Sequence, residues 1–428
     1  MSGAFVHADP QMHEILREHG PGRHRRKPRR TRCVARTALA LALAVPACAP
    51  EPLTFSDWTV PIPDGTPVHE YRFVPVQERS ELLTFERDLV LSGGMGRGLY
   101  RPGAVAVADD GTIFVLDAGN FRVVAFDQDG NALREFGRQG QGPGEFQRPR
   151  GFGVAGDLVI VTDTRNNRVA AFSRDGELVS DTQLDDWLQA SEIVGLGDDL
   201  LAIIADPLPF GGSDEPPVVS WQLARYTVSG EPLGVLAERE ASMKAYLYTA
   251  EMATVVRMVY ANPLGTIRPD KVTYVTSGDE YQILAIGPDG ATRWALRTTY
   301  VPLTVTAAHQ EAALQEVRAR DYPDEIRTEI AAGKAVWPER FAALENIETD
   351  GRGNLYAFPY EYRPPGVDAG AANPVPVDVY SPAGDPLFSG LSPIPAWDAA
   401  FGAHIYRIEE DLESGEQVVA RYRVQNFE

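Results

Sequence analysis

The sequence predicts an all-β protein, a six-bladed β-propeller of four-stranded antiparallel blades, and three observations predict it. The first is an internal repeat: Asp117, Asn120, Arg122, Phe126, Asp129 and Gly130 recur as Asp163, Asn166, Arg168, Phe172, Asp175 and Gly176, all at an offset of 46. A period in the forties with about four short strands per unit is propeller spacing. The second is the turn material, 39 Gly and 33 Pro in 428 residues, which favours many short strands over long helices. The third is that strand-like pairs of apolar and β-branched residues continue beyond the two clear repeats.

The N-terminal segment reads as export. Arg36 precedes a short apolar run, Ala38–Val45, that ends in Pro46, Ala47 and Cys48. Such a run is too short to span a bilayer but suits a signal peptide. Val45-Pro46-Ala47-Cys48 resembles a bacterial lipobox, which implies acylation of Cys48. Pro46 departs from the favoured residues there. Several acyl chains on one cysteine hold a protein stably at a membrane. The basic stretch ahead of it is long, and an ordinary signal would begin at Val34; a twin-arginine signal through Arg29 and Arg30 is the rival. Residues 1–47 are thus expected as leader and 48–68, rich in proline, as a lipidated flexible tether. Ala49 after the cysteine resembles the outer-membrane sorting pattern, so the expected place is the cell envelope, on the periplasmic face of the outer membrane.

Residues 69–428 are expected to form the propeller as a single domain. Two blades lie within roughly residues 100–180. A third pairs Leu200–Ile204 with Trp221–Val228, a fourth Lys271–Thr276 with Tyr281–Ile286, and a fifth Asp350–Phe358 with Pro376–Tyr380. His404–Ile408 and Val418–Val424 leave a sixth blade without an outer strand, and Leu82–Leu91 is expected to supply it, hiding an open sheet edge. The long insertions, at 206–217, 236–262, 303–345 and 359–373, all fall on one face. That at 303–345 looks helical, with Thr306 capping a helix through Arg320 and Pro323 opening a second. Met243–Met258 reads as a short amphipathic helix.

The Asp-x-x-Asn-x-Arg-Val-x-x-Phe-x-x-Asp-Gly pattern resembles NHL repeats, as does Gly137–Phe146 between the two copies. The resemblance covers about a fifth of the chain. It implies a propeller that recognises a partner. Asp117, Asn120, Arg122, Asp163, Asn166 and Arg168 read as structural, because they recur at one repeat position: Asp and Asn fix a turn, and Arg meets a carboxylate of a neighbouring blade. Candidates for ligand binding are Arg101, Arg148 and Arg150 at strand entrances, and Tyr360 and Tyr362 in an insertion.

Composition narrows the function classes. Past residue 47 the chain carries 57 acidic and 31 basic residues, a poor surface for nucleic acid. Both cysteines, Cys33 and Cys48, precede this body, which removes disulfides, thiolate metal sites and cysteine nucleophiles from it. The expected function is an exported, membrane-anchored monomer that binds a protein, peptide or glycan on its loop-bearing face, without a cofactor. The alternative is a lactonase- or lyase-like propeller enzyme with one axial divalent cation, because Asp and Asn ligands leave no spacing signature.

Overall fold

The computed structural model describes residues 53–55, 62–183, 190–196, 199–205, 218–228, 231–242, 246–248, 255–257, 272–276, 280–319, 328, 337, 339–363, 372–411 and 415–426. Among these, the strands form six sheets of four or five strands and two short ribbons, with one α-helix. The first sheet is Ala104–Val107, Ile113–Asp117, Arg122–Phe126 and Ala132–Phe136, each antiparallel to the next. The second is Pro149–Ala155, Leu158–Asp163, Arg168–Ser173 and Leu178–Gln183. Ala190–Leu196, Asp199–Ala205, Val218–Thr227 and Pro232–Ser242 make the third, and Thr273–Val275, Gln282–Ile286 and Thr292–Thr298 the described part of the fourth. The fifth runs Leu344–Thr349, Leu355–Pro359, Val375–Tyr380 and Pro386–Ser392. Ala399–Phe401, His404–Glu410 and Gln417–Val424 begin the sixth, and its fourth strand is Phe85–Leu91 from the other end of the chain.

The middle strands show why the sheets stack. Ile113–Asp117 and Arg122–Phe126 are buried at every position rather than at alternate ones, so both faces of the sheet are covered. The cover is the next sheet in each case. Phe114, Leu116 and Phe136 of the first sheet pack on Phe152, Val161 and Phe172 of the second. Similar clusters join the second sheet to the third, the fourth to the fifth and the fifth to the sixth. Val105, Val115 and Phe126 of the first sheet pack on Leu91, Tyr406 and Val419 of the sixth. Each such buried side chain contributes about 1.5–3 kcal/mol.

A repeated polar latch accompanies this packing. In four sheets the turn before the outer strand presents the carbonyl of its second residue to a donor from the preceding sheet. Arg134 Nη1 reaches Arg174 O (2.7 Å), Arg225 Nη1 reaches Pro288 O (2.6 Å), Trp294 Nε1 reaches Pro382 O (3.2 Å), and Arg421 Nη1 of the sixth sheet reaches Gln128 O of the first (2.7 Å). The turns end in Gly130, Gly176, Gly290 and Gly384, all with φ between 80° and 90°. Glycine is needed twice over at Gly176: the conformation is left-handed, and a Cβ there would lie 2.8 Å from the Phe136 ring of the preceding sheet.

The N-terminal chain runs along the outer edges of four sheets. Leu53–Phe55 lies parallel to Ala237–Arg239 of the third, and Val68–Tyr71 parallel to Ala295–Thr298 of the fourth. Leu82 bridges Leu391 of the fifth before Phe85–Leu91 pairs with Val419–Val424 of the sixth. Residues 53–55, read from sequence as part of a tether, are therefore strand-paired. The segment is pinned by Arg79, whose guanidinium makes a two-pronged bond to Asp378 (2.8 and 3.1 Å) and also reaches the carbonyls of Val74, Val377 and Gly390. Asp378 further accepts from Tyr281 Oη and Ser389 Oγ, so both ions are fully partnered out of water. Burial and that carboxylate push the Tyr281 phenol far up, which keeps it a donor.

In the 303–345 insertion the structure shows a helix over Ala307–Ala319 with Thr306 at its cap, its Oγ1 accepting from His309 N and its own N–H bonded to His309 Nδ1. The helix read from Pro323 lies outside the described residues but for Thr328. The Met243–Met258 helix is corrected: Tyr246–Tyr248 and Val255–Arg257 pair as an antiparallel ribbon. Aromatic and β-branched residues there fit a pleated backbone better than a helix.

Arg79→Ala is expected to lower the unfolding free energy by about 3–5 kcal/mol, since it strands the Asp378 charge. Replacing both ions by apolar residues, Arg79→Met with Asp378→Leu, is expected to recover much of that loss. Denaturant unfolding of the three chains side by side checks this.

Candidate functional site

The repeat residues build corners rather than a ligand site. Asp117 accepts from Tyr100 N (2.8 Å), Asn120 Nδ2 (2.8 Å) and Arg122 Nε (2.7 Å). Arg122 then reaches the carbonyls of Gly94, Arg97 and Gly98 and the carboxylate of Glu135, so it ties the preceding glycine-rich loop to the sheet. Asp163, Asn166 and Arg168 do the same for the loop 140–145. One detail differs from the sequence reading: the carboxylates these arginines pair with, Asp117 and Glu135 for Arg122 and Asp181 for Arg168, belong to their own sheet. What crosses to the neighbouring segment is the bond to backbone carbonyls. Phe121 and Asn167, one residue before each arginine, both take left-handed backbone, which turns the chain tightly enough to aim the guanidinium inward.

The three candidate arginines sit at the entrances of first strands. Arg101 is exposed, its N–H bonded to Gln417 Oε1 (2.8 Å) and its guanidinium over the Tyr100 ring at 5.4 Å. Arg148 is half-buried, with its N–H on Asp163 and its carbonyl taking Thr164 N; Arg150 is exposed on the next strand. Asp398 stands at the matching entrance of the sixth sheet, and nothing in the sequence pattern marks it. It keeps water-reachable surface, yet protein crowds its carboxyl enough that desolvation pushes it up to about 6, against the Ile408 N–H and Arg407.

Tyr360 and Tyr362 are brought into an aromatic cluster. Phe341 stacks on Tyr360 at 4.9 Å and 16°, and the His309 imidazole lies 4.2 Å from the Tyr362 ring and 5.0 Å from Phe341. Tyr300 Oη donates to Tyr360 O (2.9 Å), fixing the insertion to the end of the fourth sheet. Burial raises the Tyr300 phenol to about 12 and that of Tyr360 further, with Glu361 and Glu345 respectively adding to the rise. Both hydroxyls therefore stay protonated donors. Beside them Glu345 and Arg363 pair at 2.5 Å, both partly open to water. The rings come from a helix, a strand entrance and a loop, so only tertiary folding gathers them. The cluster sets aromatic side chains next to a planar charged pair. Among the described residues no group of three or more His, Cys, Asp or Glu side chains is placed to hold a metal ion.

Residues 99–202 match a family model described as 6-bladed beta-propeller, a span that takes in the first two sheets and the start of the third. The fold is a β-propeller. No curated protein matches the chain. Similar solved structures include an exported protein from Bacteroides fragilis NCTC 9343 (11% identity over 84% of this chain and 99% of that one, TM-score 0.45). A member of the duf4221 family from Bacteroides vulgatus is alike at 11% identity, over 80% and 98%, with a TM-score of 0.47. Virginiamycin B lyase from Staphylococcus aureus with quinupristin follows at 12%, over 77% and 83%, with a TM-score of 0.35. Likeness at this level carries nothing about activity. Nor does any helix among the described residues have the length and apolarity to cross a membrane.

Asp398, although exposed, is expected to give the propeller a small pH response. Its folded value near 6 lies above the ordinary 3.8, so the native state binds the proton first. The charged carboxylate costs stability above about pH 6, and that cost disappears as the pH falls towards 4. Asp398→Asn is expected to raise the melting temperature at pH 7.5 and to leave it unchanged at pH 4, as scanning calorimetry at the two values would show.

Proposed function

We propose that the chain is an exported binding protein of the NHL-repeat type, held to a cell-envelope membrane through an acylated Cys48, whose loop-bearing face grips a ligand at the Phe341, Tyr360 and Tyr362 cluster. The blades form a six-membered ring closed by Phe85–Leu91. Support for that closure comes from the latch and the apolar cluster that join the sixth sheet to the first as consecutive sheets are joined elsewhere. The chain acts as a monomer and needs no cofactor.

The aromatic cluster carries the reading. Tyr360 and Tyr362 sit on the face where the insertions gather, partly open to water over the buried Phe341 and next to the Glu345–Arg363 pair. Of a protein, a peptide or a glycan, this chemistry suits a glycan best. A sugar ring lays its C–H face on an aromatic ring and gives its hydroxyls to a carboxylate and a guanidinium, both planar and multidentate. Arg101, Arg148 and Arg150 stand at strand entrances of the first two blades, where they would meet an acidic group of the same ligand.

Screening the mature chain on an array of envelope glycans is expected to find a binder, and Tyr362→Ala to weaken it by about tenfold or more with melting unchanged. Binding that survives both Tyr362→Ala and Arg363→Ala would place the site elsewhere. Metal content of the dialysed protein separates the other class: one retained divalent ion per chain would favour a propeller enzyme with an axial site.

A further inference from the structure

The turns before the outer strands close with one bond in five sheets: the first turn residue donates its N–H to the residue four further on, as Asp127 to Asn131, Ser173 to Glu177, Thr227 to Glu231, Gly287 to Ala291 and Ser381 to Asp385. That register fixes which residues are equivalent. Two positions past the acceptor come Leu133, Val179, Leu233, Arg293 and Leu387. The four aliphatic ones are exposed, at 42, 57, 51 and 46%. Single exposed aliphatic residues are ordinary on a protein surface; the same exposure at one position in three consecutive sheets makes an arc. In the fourth sheet the position is Arg293, paired with Asp289 at 2.9 Å, which bounds the arc at the first three sheets.

These positions share one end of the molecule. Arg174, in the turn of the second sheet, bonds Asp109 and Asp110 in the first turn of the first sheet. Leu158, at the start of its strand in the second sheet, packs near Val228 at the turn of the third. The insertions and the aromatic cluster lie at the opposite end of the strands.

The N-terminal chain leads to the same rim. Leu53–Phe55 runs parallel to the outer strand of the third sheet, with Leu53 opposite Ala237 and Phe55 opposite Arg239. Pro232–Ser242 starts at the turn and runs towards the loop-bearing end, so chain preceding Leu53 leaves in the direction of Leu233. Cys48 is five residues ahead of Leu53, a reach of at most about 18 Å. From Ala237 back to Leu233 the outer strand covers about 13 Å. An anchor on Cys48 is therefore confined to the neighbourhood of the arc.

We infer that the rim formed by Leu133, Val179 and Leu233 rests on the lipid surface to which Cys48 is anchored, holding the loop-bearing face away from the membrane. The inference rests on the Cys48 anchor proposed above. The short tether keeps the rim at high local concentration against the bilayer, so a weak apolar contact suffices to orient the body. Asp109 and Asp175 beside the arc pair with Arg174 and Arg134, and the exposed Asp129 and Glu177 leave the rim acidic on balance, which favours headgroups without net charge over anionic ones.

The test uses the acylated full chain in vesicles of phosphatidylethanolamine and phosphatidylcholine with brominated acyl chains. Val179→Cys, Leu233→Cys and, on the loop-bearing side, Val301→Cys would each carry an environment-sensitive fluorophore, in a chain that also carries Cys33→Ser; acylation blocks Cys48, so each label is unique. Quenching at 179 and 233 with none at 301 is expected, together with its loss, without loss of vesicle binding, when Leu133, Val179 and Leu233 are changed to Asp and a label is placed at 177. Quenching at 301 alone, or at none of the sites, on a chain whose Cys48 peptide carries the acyl mass overturns the orientation and leaves the anchor standing. An unmodified Cys48 peptide overturns both.

Discussion

The propeller depends on one constraint: its middle strands are apolar on both faces and can be covered only by another sheet of the same kind. Ile113–Asp117 and Arg122–Phe126 are buried throughout, and the side chains that cover them come from the second sheet on one side and the sixth on the other. A lone four-stranded sheet of this composition would leave both of its apolar faces in water, so the units stand or fall as an array. Polar contacts between the sheets help to align neighbours. The turn carbonyls that receive Arg134, Arg225, Trp294 and Arg421 tie four sheets to the ones before them.

Edges are the cost of such an architecture, and the N-terminal segment manages them. Short strands from this segment cover the outer edges of the third and fourth sheets and complete the sixth. Arg79 fixes the course between these contacts. A buried arginine is tolerable there because every one of its nearby acceptors is either the Asp378 carboxylate or a carbonyl, and because Asp378 has further donors of its own. Tyr71, stacked on Tyr380 and bonded to Gly384 O, holds the same segment against the fifth sheet. The clamp thus binds the start of the chain to its last third.

The two ends of the strands are built differently. At one end the insertions bring His309, Phe341, Tyr360 and Tyr362 together, with Tyr300 tying them to the fourth sheet. At the other, the turns are short and repeated, and the outer strands begin with exposed aliphatic residues. Such a scaffold has one variable and one uniform end, which is the arrangement the proposed function uses.

The sequence by itself determined the all-β class, the units and their strands. Alternation and Asp-Gly turns are local properties, and the offset of 46 makes the equivalence of Asp117 with Asp163 readable without any coordinates. It also marked Leu82–Leu91 as a strand without a local partner. The helix read over Met243–Met258 failed because apolar spacing alone does not separate a short helix from a ribbon, whereas the tyrosines and valines there favour extended backbone. Only the tertiary structure decided what pairs at long range. Arg79 and Asp378 are 299 residues apart, and neither stands in a pattern that announces the other. Tyr360 and Tyr362 were legible as loop aromatics, but Phe341 and His309 join them through the placing of a helix and a strand entrance. Such contacts depend on how whole sheets pack, which no window of sequence contains.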